Sequence, residues 1–209
     1  MANLLYVTCN VMPQERSRTL TLGSRFLEEY LRVNPHDDVQ ILDLYRDSIQ
    51  RVDQDILTAW QRIERNKDYE LFSDDERRKI GRILRLAEQF GRCDKYVFVT
   101  HSLNLWFPAE FKMYIDAICV PNLTYRVTPL GAKGLLASRP RKSLHLHAST
   151  VFAFGQEQDL STTFLHSVLN FLGVADQKNV IIEGDWPEPG AKEEDASTWR
   201  WLMEFANHF

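Results

Sequence analysis

The sequence predicts an α/β fold, a five-stranded parallel sheet with helices packed on both faces. Three observations carry the prediction. Short runs fit for strands recur at residues 4–7, 39–44, 96–99, 143–148 and 179–183, and most are rich in β-branched and aromatic residues. Between them lie stretches whose apolar residues recur at helical spacing. The runs Leu4-Leu5-Tyr6-Val7 and Tyr96-Val97-Phe98-Val99 are apolar throughout, as strands covered on both faces are.

The first strand, 4–7, leads into a polar loop, and Ser17 or Thr19 is placed to cap the helix that follows. That helix carries Leu20, Phe26, Leu27, Tyr30 and Leu31 on one side and stops near Asn34-Pro35, where the residue before proline leaves the α region. A strand, a loop and a helix in this order can hold an anion through backbone N–H groups at the positive helix end. Arg16, Ser17, Arg18 and Thr19 are suitable donors, and a capped helix with a solvated basic turn is the other account of them. The loop lacks glycine, so neither a Walker loop nor a dinucleotide fingerprint is present.

The second strand, 39–44, is followed by an amphipathic helix at about 54–66 with Ile56, Ala59, Trp60 and Ile63 on its buried side. Ser73 followed by Glu76 is a capping-box pattern and opens a long helix through Ile80, Ile83, Leu84, Ala87 and Phe90. The third strand, 96–99, ends at a polar and aromatic turn, and Pro108 suits the first turn of the next helix. In that helix Phe111, Tyr114, Ile115 and Ile118 form one apolar face.

Residues 120–142 show no regular period and contain three prolines and two glycines, a long excursion of the kind found at functional sites and interfaces. Residues 143–148 alternate as a strand, with His145 and His147 on one face. A zinc site there would need further ligands, and the neighbouring sequence offers none. A helix over 162–172 ends at Gly173, the fifth strand spans 179–183, and a last amphipathic helix carries Trp199, Leu202, Met203 and Phe205.

The whole chain of 209 residues fits one domain with a substantial core. A net charge of −4, from 25 basic against 29 acidic residues, gives no reason to expect nucleic acid or an anionic membrane as partner. No run has the length of a membrane span, and the start of the chain lacks the basic-then-apolar order of a secretory signal. Cys9, Cys93 and Cys119 are widely spaced, which suits reduced thiols and a cytoplasmic location.

The stretch Asn104, Pro108, Lys112, Tyr114, Ile115 and Asp116 resembles the FMN-dependent NADH:azoreductase and NAD(P)H:quinone reductase family. That family carries an aromatic-Asn-Phe loop, a proline and a Leu-Lys-x-Tyr-x-Asp helix. Two further blocks, Thr124 to Leu136 and Val180 to Gly184, are similar to its Thr-Phe-x-Tyr-Thr…Gly-Pro-x-Gly-Leu stretch and its last strand. The resemblance extends over nearly the whole chain. It implies the flavodoxin-like three-layer fold with strand order 2-1-3-4-5.

The resemblance also implies a flavoenzyme. NADH or NADPH would reduce FMN, and a quinone or azo compound would then take its place, a ping-pong cycle in which no side chain need act as acid or base. The FMN phosphate would lie at Asn10, Arg16 and Ser17, and the ring against Ser102, Leu103, Asn104, Leu105, Ala148, Ser149 and Thr150. Trp106 and Tyr125 would wall the substrate pocket, with plain packing as their other account, and the site would form in a homodimer. Ser149-Thr150-Val151 stands where the family has Arg-Gly-Gly, and Leu103 where it has an aromatic residue. These departures carry an alternative, a flavodoxin-like binding or regulatory protein that has lost efficient flavin binding. A hydrolase built on Ser102 with His101, or on Cys9, is a third possibility, without the motifs such enzymes use.

Overall fold

A computed structural model of the protein describes residues 1–64, 72–149, 160–183 and 196–209. Its elements are β1 (Asn3–Cys9), α1 (Arg18–Val33), β2 (Asp38–Asp43), α2 (Gln54–Glu64), α3 (Asp74–Arg92), β3 (Lys95–His101) and α4 (Ala109–Ile118). There follow β4 (Tyr125–Thr128), β5 (Gly131–Gly134), β6 (Lys142–Ser149), α5 (Leu160–Leu172), β7 (Asp176–Glu183) and α6 (Ala196–Ala206). Five strands form one parallel sheet in the order β2-β1-β3-β6-β7. Counted within that sheet alone, this is the expected order 2-1-3-4-5.

The central strands are apolar because both their faces are covered. Leu5, Val7, Tyr96 and Phe98 pack towards Phe90 of α3, Phe111 and Ile115 of α4, and Leu165 and Leu169 of α5. Leu4, Tyr6, Val97, Val99, Leu144 and Leu146 pack on the other face with Leu22 and Phe26 of α1 and Leu202 of α6. Each such fully buried side chain contributes about 1.5–3 kcal/mol. Helix α1 approaches the sheet closely at Gly23, where a Cβ would run into the Tyr6 hydroxyl and lie 2.8 Å from Val99 Cγ2.

The helix starts follow their local signals. Ser73 Oγ accepts from the Glu76 N–H at 3.2 Å, and the Ser73 N–H donates to Glu76 Oε2 at 2.8 Å, a complete capping box. Ser17, rather than Thr19, caps α1 by accepting from the Leu20 N–H at 3.1 Å.

One element was not anticipated. Residues 120–142, which show no period in the sequence, contain the antiparallel hairpin β4–β5, pairing Tyr125 with Gly134 and Thr128 with Gly131. Its strands have four residues each, and β5 is Gly-Ala-Lys-Gly, too short and too poor in side chains for an alternation to show. A Cβ at Gly134 would strike the Phe171 carbonyl, so the hairpin base is seated against the end of α5. β7 also begins three residues before the predicted strand, because Asp176, Gln177 and Lys178 of this edge strand carry no apolar signal. Among the described residues, no helix is long and apolar enough to cross a membrane.

Candidate functional site

Strand β1 leads through α1 to β2 on one side, whereas β3 leads through α4 to β6 on the other. Their carboxyl ends therefore part the chain in opposite directions, and the crevice above them is where open α/β sheets take ligands. Three segments meet at this edge: residues 10–17 after β1, residues 102–107 after β3, and the end of β6.

The first loop is built around buried polar contacts. Asn10 Nδ2 donates to Ser17 Oγ at 2.9 Å and to Thr19 Oγ1 at 3.4 Å, while Asn10 Oδ1 accepts from the Met12 N–H at 3.0 Å. Ser17 and Thr19 hydroxyls lie 3.1 Å apart. Asn10 and Ser17 are buried, and Arg16 is exposed beside them. Amide and hydroxyl groups gathered at a helix N-terminus are the donor set that suits a phosphate. Ser17 Oγ already serves the cap, so the N–H groups of the first turn stand beside its hydroxyl as candidate donors.

The second loop is a tight two-residue turn. The Leu103 N–H donates to the Trp106 carbonyl at 2.7 Å, and the Trp106 N–H donates to the Leu103 carbonyl at 3.2 Å. The residues between them, Asn104 and Leu105, have φ of 50° and 73°. Asparagine tolerates the left-handed region, but leucine there is strained by roughly 1–2 kcal/mol. Strain of this kind gathers at binding sites, where the surrounding structure holds it. Leu103, Asn104, Leu105 and Trp106 are exposed, and the Trp106 ring stands 5.2 Å from that of Phe164 at the start of α5.

The end of β6 joins this loop directly, since the Ser102 N–H donates to the Ala148 carbonyl at 2.7 Å. Ala148 and Ser149 are buried. Thr150, expected at the ring edge, lies outside the described residues. Most of the predicted cofactor residues thus do lie at one edge of the sheet. Tyr125 does not: its ring packs 5.8 Å from Phe171, in the last turn of α5, whereas Trp106 meets Phe164 in the first turns. Within one chain the two aromatic residues are not brought together. A cleft of about 440 Å³ lies on the β2 side of the first loop, lined by Thr8, Asn10, Asp43 and Tyr45 among others.

Two features escaped the sequence. Ser102 Oγ lies 3.0 Å from His147 Nε2, whereas His101 Nδ1 turns to the Cys9 carbonyl at 3.2 Å and must donate to it. Adjacent residues of a strand point to opposite faces, so His101 and Ser102 diverge. Phe107, buried at 8% exposure, packs with its ring centroid 4.2 Å from that of Phe111 and covers His145 and His147. The available signal was the pair of histidines in a strand with neighbours on both sides, where buried polar groups must find one another.

The thiols are not poised for nucleophilic work. Burial pushes Cys9 far above its ordinary range, with Glu110 and Asp43 adding to the effect. Cys93 is pushed up to about 12 and Cys119 to about 11, again mainly by burial. Among the described residues, no three metal-ligating side chains cluster.

A family model described as flavodoxin-like fold matches residues 2–202. The chain is 50% identical to an FMN-dependent NADH:quinone oxidoreductase of Geotalea uraniireducens (strain Rf4), with 88% of each chain covered. It is 49% identical to a protein of the same name from Trichlorobacter lovleyi, covering 93% of this chain and 92% of that one. A solved azoreductase from Bacillus anthracis str. Sterne superposes with a TM-score of 0.86 over the full length of both chains, at 27% identity.

Proposed function

Because the chain belongs to the flavodoxin-like family, alongside FMN-dependent NADH:quinone oxidoreductases, we propose that it is an FMN-dependent, NADH-oxidising reductase of quinones or azo compounds. The observation that carries the proposal is the meeting, at the parting of β1 and β3, of the α1 N-terminus with the strained Asn104-Leu105 turn. One offers N–H and hydroxyl donors for a phosphate, and the other holds a fixed rim against which a flat ring can rest.

When bound, FMN supplies the redox chemistry, accepting a hydride from NADH and yielding two electrons to the acceptor. The chain's own residues bind and orient. Asn10, Ser17, Arg16 and the first turn of α1 would hold the phosphate. Ser102, Leu103, Asn104 and Leu105 would support the ring from one side, and Ala148 and Ser149 would close its edge. Trp106 limits what can stack above the crevice. NADH and the acceptor would use that space in turn, a ping-pong cycle in a single-domain cytoplasmic enzyme.

The proposal includes a homodimer. Leu103, Leu105, Trp106 and Leu160 are exposed near the crevice, and Val127, Leu130 and Phe171 are exposed at the hairpin and α5 end. Such apolar surface suits burial against a second copy. Tyr125, remote from Trp106 in its own chain, would wall a pocket only across such an interface. Sedimentation of the purified protein is expected to give a dimer, and a monomer that still turns over substrate would remove the interface from the site.

The test of the activity is a visible spectrum of the purified chain before and after adding FMN. A stoichiometric flavin band, bleached anaerobically by NADH and restored by a quinone, is the expected result. A colourless chain that takes up no FMN would overturn the reductase and favour a flavodoxin-like binding protein.

A further inference from the structure

Strands β3 and β6, with the residue that follows β3, carry a line of four polar side chains, three of them buried, that sheet pairing does not require. His145 Nε2 lies 2.8 Å from Thr100 Oγ1, Thr100 Oγ1 lies 2.7 Å from His147 Nδ1, and His147 Nε2 lies 3.0 Å from Ser102 Oγ. Thr100, His145 and His147 are buried, while Ser102 is half-buried at the carboxyl edge beneath the crevice. Phe107 roofs both imidazoles, with ring centroids at 5.7 and 5.5 Å.

The inner end decides how the hydrogens lie. His145 Nδ1 is buried and meets no hydrogen-bonding partner among the described residues. Burial, with His147 beside it, holds His145 neutral, and a neutral imidazole has one N–H and one lone pair. A buried N–H without an acceptor is rarer in proteins than an acceptor left without a donor. The lone pair is therefore at Nδ1 and the hydrogen at Nε2. Every other hydrogen follows. His145 Nε2–H donates to Thr100 Oγ1, the single Thr100 hydroxyl hydrogen is donated to His147 Nδ1, and His147 Nε2–H donates to Ser102 Oγ. The Ser102 hydroxyl then keeps its own hydrogen for the crevice.

We propose that this chain commits Ser102 as a hydrogen-bond donor into the crevice, so that it selects an acceptor atom on the bound ring. The acceptor is a carbonyl oxygen or an unprotonated ring nitrogen of FMN. The same assignment denies Ser102 a base, because the histidine nitrogen facing it already carries a hydrogen, and the pair is not a nucleophilic dyad. Thr100, His145 and His147 act as positioning residues. The ligand half rests on the FMN reading above, and the direction of the chain does not.

Imidazole nitrogen NMR of the full-length protein, with and without FMN, reads the direction without any substitution. Both His145 and His147 are expected as the Nε2–H form, and an Nδ1–H form at either residue overturns the assignment. Fluorescence titration with FMN tests the donor. Ser102→Ala is expected to weaken binding roughly three- to tenfold, the worth of one hydrogen bond. Thr100→Val, which touches no ligand, should weaken it by less and release His147 from a single tautomer. Unchanged FMN affinity in Ser102→Ala overturns the donor role. If the parent chain takes up no FMN, the flavin ligand falls with the reductase reading, while the tautomers still decide the direction.

Discussion

Leu105 shows how much one residue's backbone can say. Its φ of 73° places a branched side chain where glycine is at ease, yet the turn is closed by two backbone hydrogen bonds that leave it no other course. Leu105→Gly is expected to raise stability by about 1 kcal/mol by removing that strain, read from the denaturation midpoint. FMN affinity should fall in the same variant because the rim is no longer held. A loss of stability on this substitution would mean that the leucine side chain contributes more packing than its exposure suggests. At Ser17 the observed cap and the proposed phosphate contact overlap and can be separated. Ser17→Ala should cost about 1 kcal/mol through the lost α1 cap, whereas Ser17→Gly should cost only a few tenths. FMN titration of the glycine variant then reports the phosphate contact with little contribution from the fold.

At the scale of elements, α1 joins a structural duty to the phosphate-holding duty proposed for its N-terminus. Its N-terminus faces the crevice, while Gly23 lets its body lie against β1 and β3. Gly23→Ala should cost roughly 1–3 kcal/mol, as overpacking does, and should also weaken FMN binding by shifting the helix start. Preserved affinity together with lost stability would show that the two ends of α1 move independently. Helix α3 offers a control in an element that supplies none of the crevice segments: Ser73→Ala breaks its capping box and should cost about 1 kcal/mol without changing FMN affinity. The elements with a strong local period were legible in the sequence, and the capping box was legible down to the residue. The β4–β5 hairpin was not, because its four-residue strands are too short for an alternation to show, and its seat, where Gly134 and Gly173 admit close approach between the α5 end and the segment 134–137, has no local sequence signature.

For the molecule as a whole, the buried histidine chain ties stability to pH. In the unfolded chain His145 takes up a proton near the ordinary value of 6.5, whereas burial and then His147 keep it neutral in the fold to much lower pH. Between those two points the unfolded state binds the extra proton. The contribution is therefore whole above about pH 6.5 and is lost as pH falls towards the folded pKa, with a slope of up to about 1.4 kcal/mol per pH unit. Chemical denaturation from about pH 7 to about pH 5 should show this slope, and His145→Gln should flatten it. An equal slope in both proteins would place the proton uptake elsewhere.

The sequence by itself determined the five strands of the parallel sheet, the faces of the helices and, through a resemblance spread along the chain, the strand order and most of the segments that meet at the crevice. Those features rest on local periodicity and on motifs a few residues long, and burial writes them into the order of side chains. Only the tertiary structure decided that Ser102 meets His147 and not its neighbour His101, and that Tyr125 stands at the far end of α5 from Trp106. It also showed that His145 and His147 share the hydroxyl of Thr100. The physical reason is the same in each case. A strand sends successive side chains to opposite faces, and a parallel sheet pairs residues some 45 positions apart, so the partners of a polar side chain are set by register and not by sequence distance.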